Sequence, residues 1–345
     1  MTESGQAHRK NEHLALAESN FRRTPPTSSL EDVRLIHRPL PEIGISDVDL
    51  TVQNPDFNWQ YPFYIEAMTG GSEKTGEINQ QLALAARTTG IAMAVGSESI
   101  AIKEPAQAAS FQIAREVNPD GFLMANIGAG HSAENAQKAI DLIHADALEV
   151  HINAAQETVM PEGDDAFYWK DNIKAIVEQV NVPVIVKEVG FGMDAQSINE
   201  LSALGVQYVN IGGRSGTNFA QIEDRRNRET PDQYAFLYDW GQTTAESLLE
   251  AQRAQDGVTI FATGGIQSPL DILKAQVMGA QTVGVAGHFL HTLLTTDVDG
   301  LIAEITRWQK QLTELYALVG AKNVTDLAQV PYILSPELKN YNDQR

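Results

Sequence analysis

From about residue 62 onward the chain repeats one pattern: a short apolar run, a turn, then an amphipathic stretch. The apolar runs are FYIEA (63–67), IAMAV (91–95), FLMAN (122–126), ALEVH (147–151), VPVIVK (182–187), VQYVNI (206–211), VTIFA (258–262) and QTVGVA (281–286). Short continuous runs rich in β-branched residues are what parallel strands covered on both faces require. The stretches between them have helical spacing. Residues 77–88 place Ile78, Leu82, Ala85 and Ala86 on one face, and 197–204 behave similarly. Ser268, followed by Pro269 and with Asp271 three positions on, predicts a capped helix start. Eight strands alternating with helices predict an α/β fold, a (β/α)8 TIM barrel over residues 61–345. A doubly wound open sheet is the alternative. The count of eight, and the lack of a GxGxxG after the first strand, favour the barrel.

Two segments fall outside the repeat. Residues 1–60 read as an N-terminal arm packing on the barrel and containing Pro25 and Pro26, within one structural domain overall. Residues 212–243 form a long loop after strand six. It is rich in charge (Glu223, Asp224, Arg225, Arg226, Arg228, Glu229) and closes on Tyr234, Phe236, Tyr238 and Trp240. A connection of this length in a barrel is expected to be a lid or a disordered segment, and its composition suggests one that orders over a site.

Composition narrows the function classes. The chain has 25 basic and 45 acidic residues, a formal charge of −20, so nucleic acid and anionic membranes are not expected partners. An anionic small molecule would need a local cluster of cations or a metal. There are no cysteines, which excludes disulfides, thiolate metal sites and cysteine nucleophiles. The opening MTESGQAHRKNEH lacks the apolar core of a secretory signal, and no apolar run approaches the ~20 residues of a membrane span. A soluble, cytoplasmic protein is expected.

Barrel sites lie at the C-terminal ends of the strands, and here every strand ends in glycine, a small residue or a hydrogen-bonding one. Strand one delivers Ala67, Met68 and Thr69, strand two Ser97, strand three Asn126. Strand six runs into Ser215 and Thr217, strand seven into Gly264 and Gly265, strand eight into Ala286 and Gly287. Glycines ahead of a helix expose backbone N–H groups that cradle a phosphate, and the last two loops are where barrels commonly do so. Plain turn glycines are the competing explanation. Lys187 ends an apolar strand, where an unpaired ammonium is costly. It reads as a structural ion pair with Glu149 or Glu188, as a Schiff-base lysine, or as a cation beside an electron-rich cofactor ring.

The fourth strand end, HINAAQE, is more crowded. His151 and Asn153 share a face of an extended strand, with Gln156 and Glu157 just beyond in the loop. Glu157 is either a solvated carboxylate or an oxygen ligand for a hard cation such as Mg²⁺. Arg9, Lys10 and His13 cluster in the arm; they are either solvated or the partners of a diphosphate.

The segments RKNEHL (9–14), EAMTGG (66–71), VGS (95–97), HINAAQE (151–157), VPVIVKEVGFG (182–192), NIGGRSGTNF (210–219), ATGGI (262–266) and VGVAGHFL (283–290) resemble the type 2 isopentenyl-diphosphate isomerases, an FMN-dependent family. They span nearly the whole chain in the expected order. The resemblance implies FMN contacts from Ala67, Met68, Thr69, Ser97, Asn126, Lys187, Ser215, Thr217, Gly264, Gly265, Ala286 and Gly287. It implies diphosphate binding by Arg9, Lys10 and His13, Mg²⁺ on Glu157, and His151, Asn153 and Gln156 beside the reacting carbons, with Gln156 also touching substrate. Lys187 would support reduced FMN, which NADPH or another reductant primes. The implied reaction interconverts isopentenyl and dimethylallyl diphosphate without net redox, in a homo-tetramer or homo-octamer. One departure stands out: many members carry an arginine where this chain has Ser99, so substrate contact from that loop does not carry over. The rival readings are an FMN barrel oxidoreductase of the 2-hydroxyacid oxidase or dihydroorotate dehydrogenase type, a Schiff-base aldolase using Lys187, and a non-catalytic phosphate-ligand binder.

Overall fold

The eight apolar runs become eight parallel strands: β1 (Phe63–Ile65), β2 (Met93–Ala94), β3 (Leu123–Gly128), β4 (Ala147–Ile152), β5 (Val184–Glu188), β6 (Tyr208–Asn210), β7 (Thr259–Ala262) and β8 (Thr282–Val285). They close into a barrel because β8 pairs with β1, Val283 opposite Phe63 and Val285 opposite Ile65. The structure, a computed structural model, describes residues 5–23, 27–227, 230–255 and 257–345. Pro25, Pro26, Arg228 and Glu229 therefore lie outside the described residues. Among the described residues no helix is long and apolar enough to cross a membrane.

The predicted helices form, the first of them starting four residues before its apolar pattern and the Ser268 start where it was expected. Residues 77–88 belong to Glu73–Thr89, which starts on a Ser72 cap bonded to the Thr75 N–H and stops at the left-handed Gly90. Ser268 caps Pro269–Val277 by accepting the Asp271 N–H. Such caps are each worth about 1 kcal/mol, and they set where each helix turns away from its strand.

The barrel interior is layered. At the bottom a two-stranded hairpin, Val52–Gln53 with Asn58–Trp59, inserts Phe57 and Trp59 among Tyr64, Met124, Ile185, Tyr208 and Phe261. Phe57 meets Tyr208 edge-on at 4.6 Å. Each buried large side chain of this plug contributes roughly 1.5–3 kcal/mol. Above it the interior turns polar: Glu66, Asn126, Glu149, Lys187 and Asn210 are each 4% exposed or less. Above that layer the barrel opens.

The N-terminal residues are woven into the rest. Val33–Leu35 pairs antiparallel with Tyr332–Leu334 near the far end of the chain. Gly5–Arg23, read from sequence only as an arm, is a helix lying against Phe219–Arg226 and Gly287–Thr296. Its attachments are polar and aromatic: Glu18 lies 3.0 Å from His291, Phe21 stacks on that imidazole at 4.6 Å, and Asn20 bonds Gln221 and Arg225. The long loop after strand six is ordered where it is described. Asn218 caps the helix Phe219–Arg226, and a 3₁₀ turn follows at Ala235–Leu237.

Candidate active site

A cavity of about 560 Å³ occupies the C-terminal mouth of the barrel, within the range of small-molecule and cofactor sites. It collects the predicted residues from all eight strand ends, with Arg9, Lys10 and His13 from the N-terminal helix forming its roof. Ser215 is the exception. It stands behind the wall, its hydroxyl donating to the Arg214 carbonyl.

One end of the cavity is built from backbone. Gly264 has φ +109°, and a Cβ there would lie 2.1 Å from the Gly213 carbonyl oxygen. Gly265 has φ +72°, with a Cβ 2.5 Å from the Ser215 carbonyl oxygen. Only glycine permits both the dihedral and the approach. Gly287 opens the helix Gly287–Thr296, close to Thr217 Oγ1 and the Phe21 ring. The loops after β6, β7 and β8 thus meet as a small-residue cradle at a helix start, which fits a phosphate.

The floor is the buried polar layer. Lys187 Nζ donates to Glu66 Oε1 at 2.5 Å and to Glu149 Oε2 at 3.3 Å. Of the two sequence-predicted partners, Glu149 is correct and Glu188 is not. The Glu188 carboxylate accepts the Phe191 N–H at 2.6 Å and braces its own loop. Burial alone would lower the Lys187 pKa, but the charges of Glu149 and Glu66 outweigh it and raise the value. A permanently protonated lysine held by two carboxylates is the opposite of a Schiff-base nucleophile. Burial would raise Glu66, yet the charge and hydrogen bond of Lys187 hold it below the usual carboxylate range. Burial and the neighbouring Glu66 charge push Glu149 up. Tyr64 and Asn210 complete the shell by donating to Glu66 Oε2, both at 2.9 Å.

From this layer a chain of hydrogen bonds climbs to the cavity. Asn126 Nδ2 donates to Glu149 Oε2 at 2.8 Å, which turns Asn126 Oδ1 toward His151 Nδ1, also at 2.8 Å. An amide oxygen only accepts, so His151 carries its proton on Nδ1 and presents an unprotonated Nε2. Nε2 faces the space left by Gly128, where a Cβ would lie 3.2 Å away. Burial, followed by the charges of Lys187 and Lys10, lowers the His151 pKa to about 3. His151 is therefore a neutral hydrogen-bond acceptor at working pH.

HINAAQE is not a strand running into a loop, as its sequence suggested. β4 ends at Ile152, Asn153 is an N-cap, and Gln156 and Glu157 lie on the helix Ala154–Val159. Both polar groups of Asn153 are engaged: Oδ1 accepts the Gln156 N–H at 2.9 Å and Nδ2 donates to the Val189 carbonyl at 2.8 Å. Asn153 thus positions Gln156. The Gln156 amide nitrogen donates to Glu223 Oε1 at 3.0 Å, and the same oxygen lies 3.0 Å from His13 Nε2. Burial would raise Glu223, but His13 and Arg226 outweigh it and bring its pKa to about 2.

Among the described residues no group of three or more His, Asp or Glu is suited to a metal ion. Glu157 lines the cavity, one oxygen accepting the Asp164 N–H at 2.9 Å. Burial raises its pKa, assisted by the charges of Asp164 and Glu223. A carboxylate so placed fits a hard cation whose other ligands are ligand oxygens and water.

Sequence reading missed Glu66 as the main partner of Lys187, and Glu223 as the anchor of Gln156 and His13. Each left a trace. Glu66 interrupts an apolar strand run, where a carboxylate needs a partner. Glu223 and Arg226 lie three apart on one short helix and pair there.

A family model described as FMN-dependent dehydrogenase matches residues 101–333. Solved structures of mandelate oxidase are similar in fold. The complex with (S)-2-phenylpropionate superposes with a TM-score of 0.62 at 18% identity, covering 94% of this chain and 90% of that one. Among curated relatives, isopentenyl-diphosphate delta-isomerase of Limosilactobacillus reuteri (strain DSM 20016) is 50% identical over 347 residues, 100% of this chain and 99% of that protein. The protein of the same name from Latilactobacillus sakei subsp. sakei (strain 23K) is 48% identical over 343 residues, covering 99% and 97%. That of Staphylococcus aureus (strain Newman) is 42% identical over 348 residues, covering 100% and 98%. With such identity along its whole length, the chain belongs to the isopentenyl-diphosphate delta-isomerase family and carries an FMN-dependent dehydrogenase domain.

Proposed function

We propose that the protein interconverts isopentenyl diphosphate and dimethylallyl diphosphate, using reduced FMN and Mg²⁺. The observation that carries this reading is one cavity with a glycine cradle in one part and a basic helix over another. The glycine cradle of the last three loops suits the FMN phosphate, and the basic N-terminal helix suits a second, phosphorylated ligand. Gln156 and His151 lie on the wall they share.

The chain's own residues bind, orient and exclude water. Arg9 and Lys10 hold the diphosphate, and Glu157 would hold Mg²⁺ against it. Ala67, Met68, Thr69, Ser97 and Asn126 would offer small and hydrogen-bonding groups to a ring system, and Lys187 would supply it with a fixed cation. His151 offers a lone pair and no acidic proton, and Gln156 does not titrate, so neither side chain is a strong acid. Bound reduced FMN would supply the missing acid–base capacity, with NADPH or another reductant priming it instead of being consumed.

The test is isomerase activity with FMN, reductant and Mg²⁺ together and with each omitted. Turnover far exceeding the reductant added is expected, with little activity when any one is absent. Full activity of flavin-free protein, or one oxidised substrate per reductive cycle, would sink the proposal.

Lys10 sets a pH limit. Burial, then the nearby Arg9 charge, lowers its pKa to about 8 in the free protein, against the pull of Glu223. Above that pH the ammonium becomes neutral and a diphosphate loses a counter-charge. kcat/KM, which reports free-enzyme groups, is expected to fall as pH rises above roughly 8. Lys10→Arg should abolish this limb; an identical profile in that variant would exclude Lys10 as its source.

A further inference from the structure

We propose that Lys103 is a diphosphate-binding residue, receiving phosphate oxygens together with Lys10 on a wall whose hydroxyl is Ser99. This deepens the proposed function and rests on it for the identity of the ligand.

Several basic side chains line the cavity. Arg9 is bonded to Glu162 at 2.9 Å, His13 lies against Glu223, and Lys187 is held by Glu66 and Glu149. Among the described residues, the lining cations outside these ion pairs are Lys10 and Lys103. An anion can pair with these two with no carboxylate to displace from them.

They belong to one wall. The Lys10 stem and Ile100 both crowd Gly71, where a Cβ would lie 3.5 Å from Lys10 Cγ and 2.5 Å from Ile100 Cγ2. The N-terminal helix therefore meets the helix Ser99–Lys103 at this point. Ser99 and Lys103 are four apart on that helix and share a face. The Ser99 hydroxyl is fixed by Ser97 Oγ at 3.0 Å and His131 Nε2 at 2.9 Å. Burial and then the Lys103 charge lower the His131 pKa, while Asp164 is the carboxylate that opposes them. The wall combines two unpaired ammonium groups with an oriented hydroxyl and imidazole, chemistry suited to phosphate oxygens. Ser99 is too short to bring a charge itself; Lys103, exposed and one turn on, brings it on a flexible stem.

The experiment titrates inorganic pyrophosphate into FMN-loaded protein with Mg²⁺ by calorimetry, alongside steady-state kinetics with isopentenyl diphosphate. Lys103→Met is expected to weaken pyrophosphate binding tenfold or more and raise KM in parallel. kcat should fall less than threefold, with the flavin spectrum and Tm unchanged. Lys103→Arg should restore affinity to within threefold. Pyrophosphate affinity in Lys103→Met within twofold of wild type overturns the proposal. If wild type binds pyrophosphate without isomerising, the proposed function fails, and the titration alone still decides the role of Lys103.

Discussion

Lys187→Met is expected to lower the stability of the protein by about 3–5 kcal/mol, the usual cost of removing one partner from a buried ion pair. The lysine is 4% exposed and bonded to two carboxylates, 4% and 0% exposed, above an aromatic plug that gives no solvent. Methionine fills similar volume, so the loss is electrostatic and not a cavity effect. With the cation gone, Glu66 loses the interaction that holds its pKa low. Its folded pKa then rises above the unfolded one, and stability is lost as pH rises through the range where the unfolded carboxyl ionises. Chemical denaturation of the variant should therefore show its largest deficit at neutral and alkaline pH and a smaller one near pH 5. Glu66→Gln in the same chain should recover part of the loss. A Lys187→Met protein as stable as wild type at pH 8 would show that the layer does not need its cation.

Gln156→Ala is expected to reduce kcat by about 10²–10³-fold, the cost of removing a hydrogen-bonding group aimed at the reacting atoms, while the protein stays yellow. The reasoning is positional. The Gln156 backbone is pinned by Asn153, and its amide nitrogen is committed to Glu223, so its carbonyl oxygen is turned away from that carboxylate. Glu223 is in turn fixed by Arg226 and His13, which ties the amide to the roof of the site. Alanine removes the amide and leaves the cap, the helix and the glycine cradle untouched. Flavin content measured by absorbance should match wild type, and single-turnover isomerisation should be lost. An unchanged kcat would remove Gln156 from the mechanism.

Much of the scaffold was legible because its signals are local. A covered parallel strand must be a continuous apolar run, and a helix start must satisfy its N–H groups, so FYIEA or Ser268-Pro269 can be read in place. The cradle was legible for the same reason: glycine pairs after consecutive strands announce close backbone approach. Glu149 was legible as a partner of Lys187, but the closer partner was not, because Glu66 lies 121 residues away. Which inward side chains meet depends on the stagger of strands around the closed barrel, which no single strand records. The strand-to-helix switch inside HINAAQE was hidden for a different reason. Asn153 reads equally as the end of a strand and as a cap, and only the tertiary fit selects the cap. Glu223 was visible only as one charge among six in a loop, since nothing local distinguishes a buried carboxylate from a solvated one.

The position of the N-terminal helix bears on the order in which the protein is made. Arg9, Lys10 and His13 leave the ribosome some two hundred residues ahead of Phe219–Arg226, and further still ahead of Gly287–Thr296, the two surfaces that seat their helix. The strand Val33–Leu35 waits still longer, for Tyr332–Leu334. A vectorially emerging chain must therefore keep its basic leading segment undocked until nearly all of the barrel has been synthesised. The ligand roof is translated well before the surfaces that hold it, so a nascent chain stalled before about residue 296 would carry most of the barrel strands with no roof docked over them.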